Sequence, residues 1–347
     1  MIRRSSFLRT TAASLAALTF SAFVSITAHA QGAAAPATVD SLLKAAKTEG
    51  EFVFYSAATE NVAKRIAEAF TTKYGVRAKY LRLGSAPLAQ RYANEAAAGV
   101  PAADAVLIAG GAVAFTRDGV AKGWLDPIET ANIPEITSGE FPKAFLRYGG
   151  AIVQIAPWLV QYNTELVKPA DVPKKWEDVL NPRFKGRLVM ADPKAADSFL
   201  DVWALLLDTY GEQFFVKLRE QNIRWYEDGV PALQALGAGE GDLSFPGVRF
   251  LAQGLIDKGA PVETSMVLPT SGTEMYLALT AATKAKSPNA ARLFANWLMS
   301  PEGSKVMNAD PGSYSVFAVG DLPKGYTSPK PETPARRAEI RKLFGLQ

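Results

Sequence analysis

The chain contains no cysteine and only one histidine, and these absences exclude several kinds of site. Without cysteine there are no disulfides, no thiolate metal ligands, no thiol nucleophile and no cysteine for lipid attachment. The single histidine, His29, lies close to the amino terminus. Beyond residue 30 no stretch is long and apolar enough to span a membrane. A chain of 347 residues with 48% hydrophobic and 21% charged residues nevertheless has room for two globular domains.

The first thirty residues have the three parts of an export signal. Arg3, Arg4 and Arg9 precede the uncharged, largely apolar stretch 11–28, and Ala28-His29-Ala30 is a small-x-small cleavage sequence. This order predicts a secretory signal peptide over residues 1–30 and a periplasmic protein.

Two alternatives concern this segment. A membrane anchor is disfavoured because Thr and Ser interrupt an apolar stretch that is barely long enough to cross a bilayer. The run 3–9 also resembles a twin-arginine signal, with one residue too many between the arginines and Phe7. The export route therefore stays open.

Cleavage after Ala30 would change both the charge and the available chemistry. The signal holds three arginines and no acidic residue, so the net charge would fall from +4 to +1, which gives no indication of nucleic-acid binding. His29 would also be lost, which excludes Ser-His-Asp catalysis and imidazole-based zinc sites. Acid–base catalysis by Asp, Glu, Lys or Tyr stays open.

From residue 40 the sequence alternates between strand and helix patterns. Apolar stretches at 51–56, 76–83 and 105–109 are typical of strands, and helical spacing of apolar residues separates them. This order predicts a mostly parallel sheet covered on both faces. Later segments continue the α/β pattern: 152–162 extended, 186–190 strand, a long helix from 197, 231–236 helix, 242–245 strand and 290–298 amphipathic helix.

An ordered set of short motifs carries a family resemblance. They are Gly50-Glu51-Phe52-Val53-Phe54-Tyr55-Ser56, Ala67-Glu68-Ala69-Phe70, Leu83-Gly84-Ser85-Ala86-Pro87-Leu88, Ala103-Asp104-Ala105-Val106, Gly123-Trp124-Leu125-Asp126-Pro127, Tyr162-Asn163-Thr164, Trp176-Glu177-Asp178-Val179-Leu180, Ala290-Ala291-Arg292-Leu293-Phe294 and Ser300-Pro301-Glu302-Gly303. Together they resemble the ferric-ion-binding type of periplasmic solute-binding proteins of ABC importers.

The resemblance implies the class II periplasmic-binding-protein fold, with two α/β lobes, a hinge and a ligand cleft between the lobes. The first lobe is expected to comprise residues 36–150 and 266–310, and the second 151–265 and 311–347. It implies a monomer without a cofactor that binds a small molecule, delivers it to an inner-membrane ABC permease and does not bind nucleic acid.

The resemblance also indicates which residues replace the metal ligands. Ferric members of the family use His, Glu and two adjacent Tyr, and these positions fall on Thr59, Ala109, Arg249 and Phe250. None of the four ligands is present, so we expect no bare ferric site. Binding of a ferric ion or ferric chelate is the alternative within the same fold.

The expected cleft residues suit a small anionic or zwitterionic organic ligand. Arg249 is expected to bind the anionic group, Trp158 and Phe250 to cover an apolar body, and loops at helix starts to offer hydroxyls and N–H groups. An acidic residue in the cleft, Asp192 or Asp197, would indicate a cationic group on the ligand. The full expected set is Ser56, Ala57, Thr59, Gly84, Ser85, Gly110, Trp158, Asp197, Ser198, Gly229, Arg249 and Phe250.

These residues also have ordinary structural explanations. Thr59, Ser85, Asp197 and Ser198 are typical helix N-caps, Arg249 is of a type often found in surface ion pairs, and aromatic residues often lie in a core. Two further functions stay open besides transport. One is an exported enzyme that works without His or Cys, and the other is a ligand-sensing partner of a signalling receptor.

Overall fold

The computed structural model describes residues 36–193 and 197–346, and for residues 197 and 198 it describes the backbone alone. The predicted signal peptide lies outside the described residues. Helices of the described chain are α1 (Val39–Glu49), α2 (Glu60–Tyr74), α3 (Ser85–Ala97), α4 (Ala112–Ala121), α5 (Pro134–Thr137), α6 (Asp197–Tyr210), α7 (Glu212–Arg219), α8 (Gly229–Gly237), α9 (Arg249–Ile256), α10 (Pro288–Leu298), α11 (Pro301–Met307) and α12 (Arg337–Leu343).

Strands alternate with these helices along most of the chain. They are β1 (Phe52–Ser56), β2 (Ala78–Arg82), β3 (Ala105–Ile108), β4 (Leu125–Asp126), β5 (Leu146–Arg147), β6 (Gly150–Pro157), β7 (Leu159–Asn163), β8 (Val189–Ala191), β9 (Arg224–Tyr226), β10 (Leu243–Gly247), β11 (Val262–Ser265) and β12 (Gly272–Thr280). Among the described residues no helix is both long and apolar enough to cross a membrane.

The first lobe is built on a seven-stranded sheet with the order β2-β1-β3-β12-β6-β5, and β4 pairs with β12. Strands β1, β2 and β3 are parallel, as the alternating pattern predicts, whereas β12 runs antiparallel to β3 and β6. In the register of the parallel strands, Ser56 lies opposite both Arg82 and Leu107. The carboxyl ends of these three strands therefore meet at one edge, where ligands bind in open α/β sheets.

Helix α2 illustrates how the sequence specifies this lobe. Val62, Ile66 and Phe70 recur at helical spacing, and all three are buried in the core of the first lobe. The helix ends at Gly75, whose φ of 65° is the left-handed conformation that glycine adopts at little cost. Phe70 packs against Phe294 of α10, with ring centroids 5.3 Å apart, so α2 and α10 share one aromatic cluster.

The second lobe differs from a simple parallel α/β unit. Its three-stranded sheet has the order β10-β7-β11 and is antiparallel throughout, and β8 and β9 form a separate parallel pair. A second core covers these strands, with Trp203 of α6 packed against Phe215, Phe245 and Phe344.

The structure shifts the lobe boundaries from the predicted ones. Strand β6 pairs with β12 in the first sheet, so the first sheet extends to residue 157 rather than ending at 150, and the segment predicted as one extended stretch, 152–162, divides into β6 and β7. The segment 311–347 also divides. Val316 is buried in the core of the first lobe, whereas Ile340 and Phe344 are buried in that of the second. The chain thus crosses between the lobes at β6–β7, before β12 and again after Val316.

Candidate ligand site

A cavity of about 210 Å³ lies between the two lobes, at the carboxyl edge of the first sheet. Five residues of the predicted set line it: Ala57, Thr59, Trp158, Gly229 and Phe250. The loop after β1 and the last residue of β2 contribute to it from the first lobe, and the starts of α8 and α9 contribute from the second. The edge predicted from the strand order is therefore the one that carries this cavity.

The loop after β1 is held rigidly at the cavity. Ala57 N donates to Leu107 O at 2.8 Å, and Ala58 N donates to the Ser56 hydroxyl at 3.2 Å. Ser56 is fully buried, so it supports the loop from below and does not line the cavity as predicted. Thr59 is the N-cap of α2, but its side chain makes no capping hydrogen bond and lines the cavity.

A basic side chain that the sequence analysis did not single out lies at the same edge. Arg82 ends β2 and donates from Nε to Ala58 O at 3.3 Å, which holds its stem against the loop after β1. Its side chain is exposed and forms no ion pair with a described carboxylate. Of the described residues that line the cavity, Arg82 alone is basic. Its position at a strand end next to Gly84-Ser85 is the signal that could have identified it.

The second lobe supplies mostly apolar walls. The indole of Trp158 is 5% exposed and packs against Phe199, with ring centroids 5.1 Å apart, and Phe250 and Leu251 extend this wall. Asp228, the N-cap of α8, brings an exposed carboxylate to the wall and accepts a hydrogen bond from Gly229 N at 2.6 Å. The cavity therefore presents an arginine on one lobe, a carboxylate on the other and an aromatic surface.

Two glutamines line the cavity where the chain crosses between the lobes, one on β6 and one on β7. Gln154 donates from Nε2 to Ser313 Oγ at 3.2 Å, and Gln161 donates to Val248 O at 3.3 Å. A Cβ at Gly247 would lie 2.3 Å from the amide carbon of Gln161, so glycine leaves the room that this amide occupies. Asp310 also lines the cavity, but Arg65 pairs with it at 2.9 Å and compensates its charge.

Arg249 is not placed where the sequence analysis expected it. It begins α9, and its guanidinium pairs with Glu263 and donates to Thr264 Oγ1 at 2.8 Å. Arg249 and Phe250 are adjacent in a helix, so their side chains diverge by about 100°. Phe250 lines the cavity, whereas Arg249 pairs with Glu263 of β11 and does not line the cavity as expected.

Three further expected residues lie beside the cavity rather than in it. Gly84 is the N-cap of α3 and Ser85 its first helical residue, so Ser85 is not the cap. The Ser85 hydroxyl instead accepts a hydrogen bond from Gly110 N at 3.1 Å, which joins the ends of β2 and β3. The Ser85 hydroxyl and Gly110 N thus serve each other, and none of the three residues lines the cavity as expected.

Two acidic residues near the start of α6, Asp192 and Asp197, were considered from the sequence. Asp192 pairs with Arg341 of α12 at 2.7 Å and does not line the cavity. The side chains of Asp197 and Ser198 lie outside the described residues. Asp228 and Asp310 are the acidic residues among the described residues that line the cavity, and Asp192 is not one of them.

The four positions that the resemblance assigns to iron ligands can be tested against this geometry. Thr59, Ala109 and Phe250 line the same cavity, and Arg249 lies next to it. Asp228 and Asp310 are the carboxylates among the lining residues, and within the described ranges no group of three or more His, Cys, Asp or Glu could hold a metal ion. None of the described lining residues is a His, Glu or Tyr, the types that the resemblance assigns to a ferric site.

Comparison with known proteins identifies the family. A family model described as bacterial extracellular solute-binding protein matches residues 52–310, and the chain belongs to this family. The chain is 29% identical over 273 residues to an uncharacterized protein of Haemophilus influenzae, covering 75% of this chain and 76% of the relative. It is 24% identical over 202 residues to an Fe(3+)-binding periplasmic protein of Serratia marcescens, covering 57% of each.

Solved structures share the fold at low sequence identity. The substrate-binding protein of an ABC transporter from Agrobacterium tumefaciens superposes with a TM-score of 0.70 at 15% identity, covering 85% of this chain and 95% of that one. Iron-bound HitA from Pseudomonas aeruginosa gives a TM-score of 0.64 at 20% identity, covering 85% and 98%. AfuA from Actinobacillus pleuropneumoniae, with fructose-6-phosphate bound, gives 0.63 at 20% identity, covering 85% and 97%. The two-lobed periplasmic-binding-protein fold is thus confirmed.

Proposed function

We propose that the protein binds a small organic anion or zwitterion between its lobes and delivers it to the permease of an ABC importer. The observation that carries this proposal is Arg82, a basic side chain at the edge of an otherwise largely apolar cavity. A planar guanidinium suits a carboxylate, phosphonate or sulfonate, because it can donate two parallel hydrogen bonds.

The remaining walls indicate what the rest of the ligand is. Trp158, Phe199 and Phe250 offer an apolar surface large enough to cover a hydrocarbon or aromatic body. Asp228 on the opposite lobe favours a ligand that also carries a cationic group, such as an amino acid or an aminophosphonate. Closure of the lobes would bring Arg82 and Asp228 to the two ends of such a ligand.

Relatives and neighbours with iron in their names make a ferric ligand the second candidate. The described cavity supports it poorly, because phenolate, imidazole and clustered carboxylate donors are missing from the lining. We further propose that the mature protein is a periplasmic monomer that starts near Gln31 and has no enzymatic activity.

A thermal-shift screen with matched ligand classes tests this function. The panel consists of carboxylates, phosphonates, sulfonates, amino acids and ferric citrate, each at two concentrations. A ligand at 100 times its dissociation constant adds about 2.7 kcal/mol to the free energy of unfolding, which is readily detected. We expect stabilisation by an organic anion or zwitterion and no red colour with ferric citrate. Stabilisation by ferric citrate alone, with a visible charge-transfer band, would refute the proposal.

A further inference from the structure

A tight turn of the first lobe, residues 310–313, contacts the second lobe beside the ligand cavity, and we call it the contact turn. Ser313 N donates to Asp310 O at 3.1 Å, which closes the turn. Pro311 occupies its second position and Gly312 its third, where a φ of 78° is the left-handed conformation that a type II turn requires. The local sequence therefore specifies the turn.

The contact turn is fixed to the first lobe on both of its sides. Before the turn closes, Asp310 pairs with Arg65 of α2 at 2.9 Å. Directly after the turn, Tyr314 exchanges two backbone hydrogen bonds with Ile155 of β6, at 2.8 and 3.0 Å. The turn is therefore expected to move with the first sheet when the lobes move.

On the second lobe, the contact turn meets Arg249 at the start of α9. A Cβ at Gly312 would lie 3.0 Å from Arg249 Cγ and closer still to Arg249 Cβ, so the bare Cα of glycine packs directly against the stem of the arginine. Beyond that stem, the guanidinium pairs with Glu263 and donates to Thr264 Oγ1 at 2.8 Å. To move away from the turn, the stem would have to give up these bonds.

This contact between the lobes lies at the wall of the ligand cavity. Asp310 and Ser313 line the cavity on the first-lobe side of the contact, and Val248 and Phe250 line it on the second-lobe side. A change in the separation of the lobes at this point therefore changes the width of the cavity.

We propose that the contact turn is the stop for lobe closure, because Gly312 packed against the stem of Arg249 sets how closely the lobes approach. Close-packed groups resist further approach steeply, so a hinge motion that brings the lobes together ends where these atoms meet. Arg249 is then a positioning residue for the width of the cavity, and its ion pair holds the stem in place. The stop rests on the two-lobed binding function but not on the class of ligand.

The test adds one methyl group at the contact and measures the separation of the lobes without any ligand. Because the chain has no cysteine, Asn61→Cys on α2 and Glu227→Cys before α8 place one spin label on each side of the cavity, at exposed positions next to lining residues. Pulsed electron paramagnetic resonance records the distance between the labels. Carbon atoms in contact lie about 3.5–4.0 Å apart, so Gly312→Ala should lengthen this distance by about 1 Å or more.

Matched variants separate the contact from the strain of a left-handed alanine. Gly139→Ala carries the same strain, with a φ of 82°, but nothing lies within 4 Å of its Cβ, so the distance should not change. Added to Gly312→Ala, Arg249→Gly removes the opposing Cβ and should restore the distance of the unmodified labelled chain. Arg249→Ala keeps that Cβ and should leave most of the shift in place.

Two further measurements keep the proposal testable. Arg249→Gly alone removes the stop, so its distance distribution should extend to shorter values, and this variant serves if Gly312→Ala proves unfolded. In urea denaturation without labels, Gly312→Ala and Gly139→Ala should lower the midpoint equally, because the lobes move apart to relieve the overlap.

Four results would overturn the stop. They are an unchanged distance in Gly312→Ala, an equal shift in Gly139→Ala, a shift that Arg249→Ala reverses as fully as Arg249→Gly, and an unchanged distribution in Arg249→Gly alone. A larger loss of urea midpoint in Gly312→Ala at an unchanged distance would assign the contact to packing within a rigid molecule. A failed ligand screen would leave these distances unaffected, so the two proposals can fail separately.

Discussion

At the scale of single residues, the account depends on which arginine meets the ligand. Arg82 lines the cavity, whereas Arg249 lies next to it and is paired with Glu263. A charge-assisted hydrogen bond contributes about 1.5–3 kcal/mol. We therefore expect Arg82→Ala to weaken binding of the best anion from the screen by about ten- to a hundred-fold.

Calorimetric titration of matched variants checks this expectation. Arg82→Lys keeps the charge but loses the planar fork, so it should recover only part of the affinity. Arg249→Ala is the control and should leave affinity within about threefold, since its partly exposed ion pair contributes at most about 1 kcal/mol to stability. Equal affinity of Arg82→Ala and the unmodified chain would move the anion site elsewhere.

Asp201 gives a prediction for the pH dependence of stability. Its pKa is raised from 3.8 to about 7, so between these values the folded state holds a proton that the unfolded state has released. The free energy of unfolding should therefore lose a contribution as pH rises from about 4 to about 7, with no further loss from this group above that.

Urea denaturation at pH 5 and pH 8 of the unmodified chain and of Asp201→Asn measures this contribution. The asparagine variant should lack it, and a decline of the same size in both proteins would assign the effect to other groups. Asp118→Asn on α4 serves as the control, because the loss of its exposed carboxylate should change stability by less than about 0.5 kcal/mol.

At the scale of elements, the motif Ser300-Pro301-Glu302-Gly303 has a packing explanation. Ser300 caps α11 through Gly303 N, and Pro301 occupies the first turn. A Cβ at Gly303 would lie 1.9 Å from the carbonyl oxygen of Trp297, which is backbone and cannot move aside cheaply. The motif thus lets α11 approach the end of α10.

Two glycine substitutions within helices separate close packing from helix propensity. Gly303→Ala should destabilise the protein by about 1–3 kcal/mol or more, because the added methyl group overpacks the α10–α11 contact. Gly254→Ala in α9 adds the same methyl group where nothing lies within 4 Å, and it should stabilise by about 0.5–1 kcal/mol. Urea denaturation of both variants checks the difference, and a similar effect of the two would contradict the packing explanation.

Sequence patterns predicted the elements of the first lobe better than those of the second. The buried strand at 105–109 and the spacing of Val62, Ile66 and Phe70 identified β3 and α2, because one period dominates each segment. The antiparallel sheet of the second lobe was not predicted, since its pairing joins strands that are distant in the sequence.

At the candidate site, the sequence predicted the position of the sheet edge but not the direction of every side chain. The edge of the first sheet followed from strand order, and with it Ala57 and Thr59. The expectation that Arg249 lines the cavity did not match the structure, because the direction of a side chain depends on where its helix begins. Helix α9 begins at Arg249. Arg82 was within reach by the same rule, because it lies at the carboxyl end of the strand predicted over 76–83.

At the scale of the whole molecule, the signal sequence predicts where the mature chain starts. Protein recovered from the periplasm should begin at Gln31 or within a few residues of it, because Ala28-His29-Ala30 is the predicted cleavage sequence. Amino-terminal sequencing or intact mass measures this directly. Retention of the full-length chain in the inner membrane would contradict it.

The central claim is that an organic anion, and not a ferric ion, lies between the lobes against Arg82. A crystal structure of the protein with the most stabilising anion of the screen tests it most directly. We predict that the acidic group lies within hydrogen-bond distance of the Arg82 guanidinium and that the ligand body lies against Trp158, Phe199 and Phe250. A ligand held by other residues, or a metal ion bound in this cavity, would contradict the account.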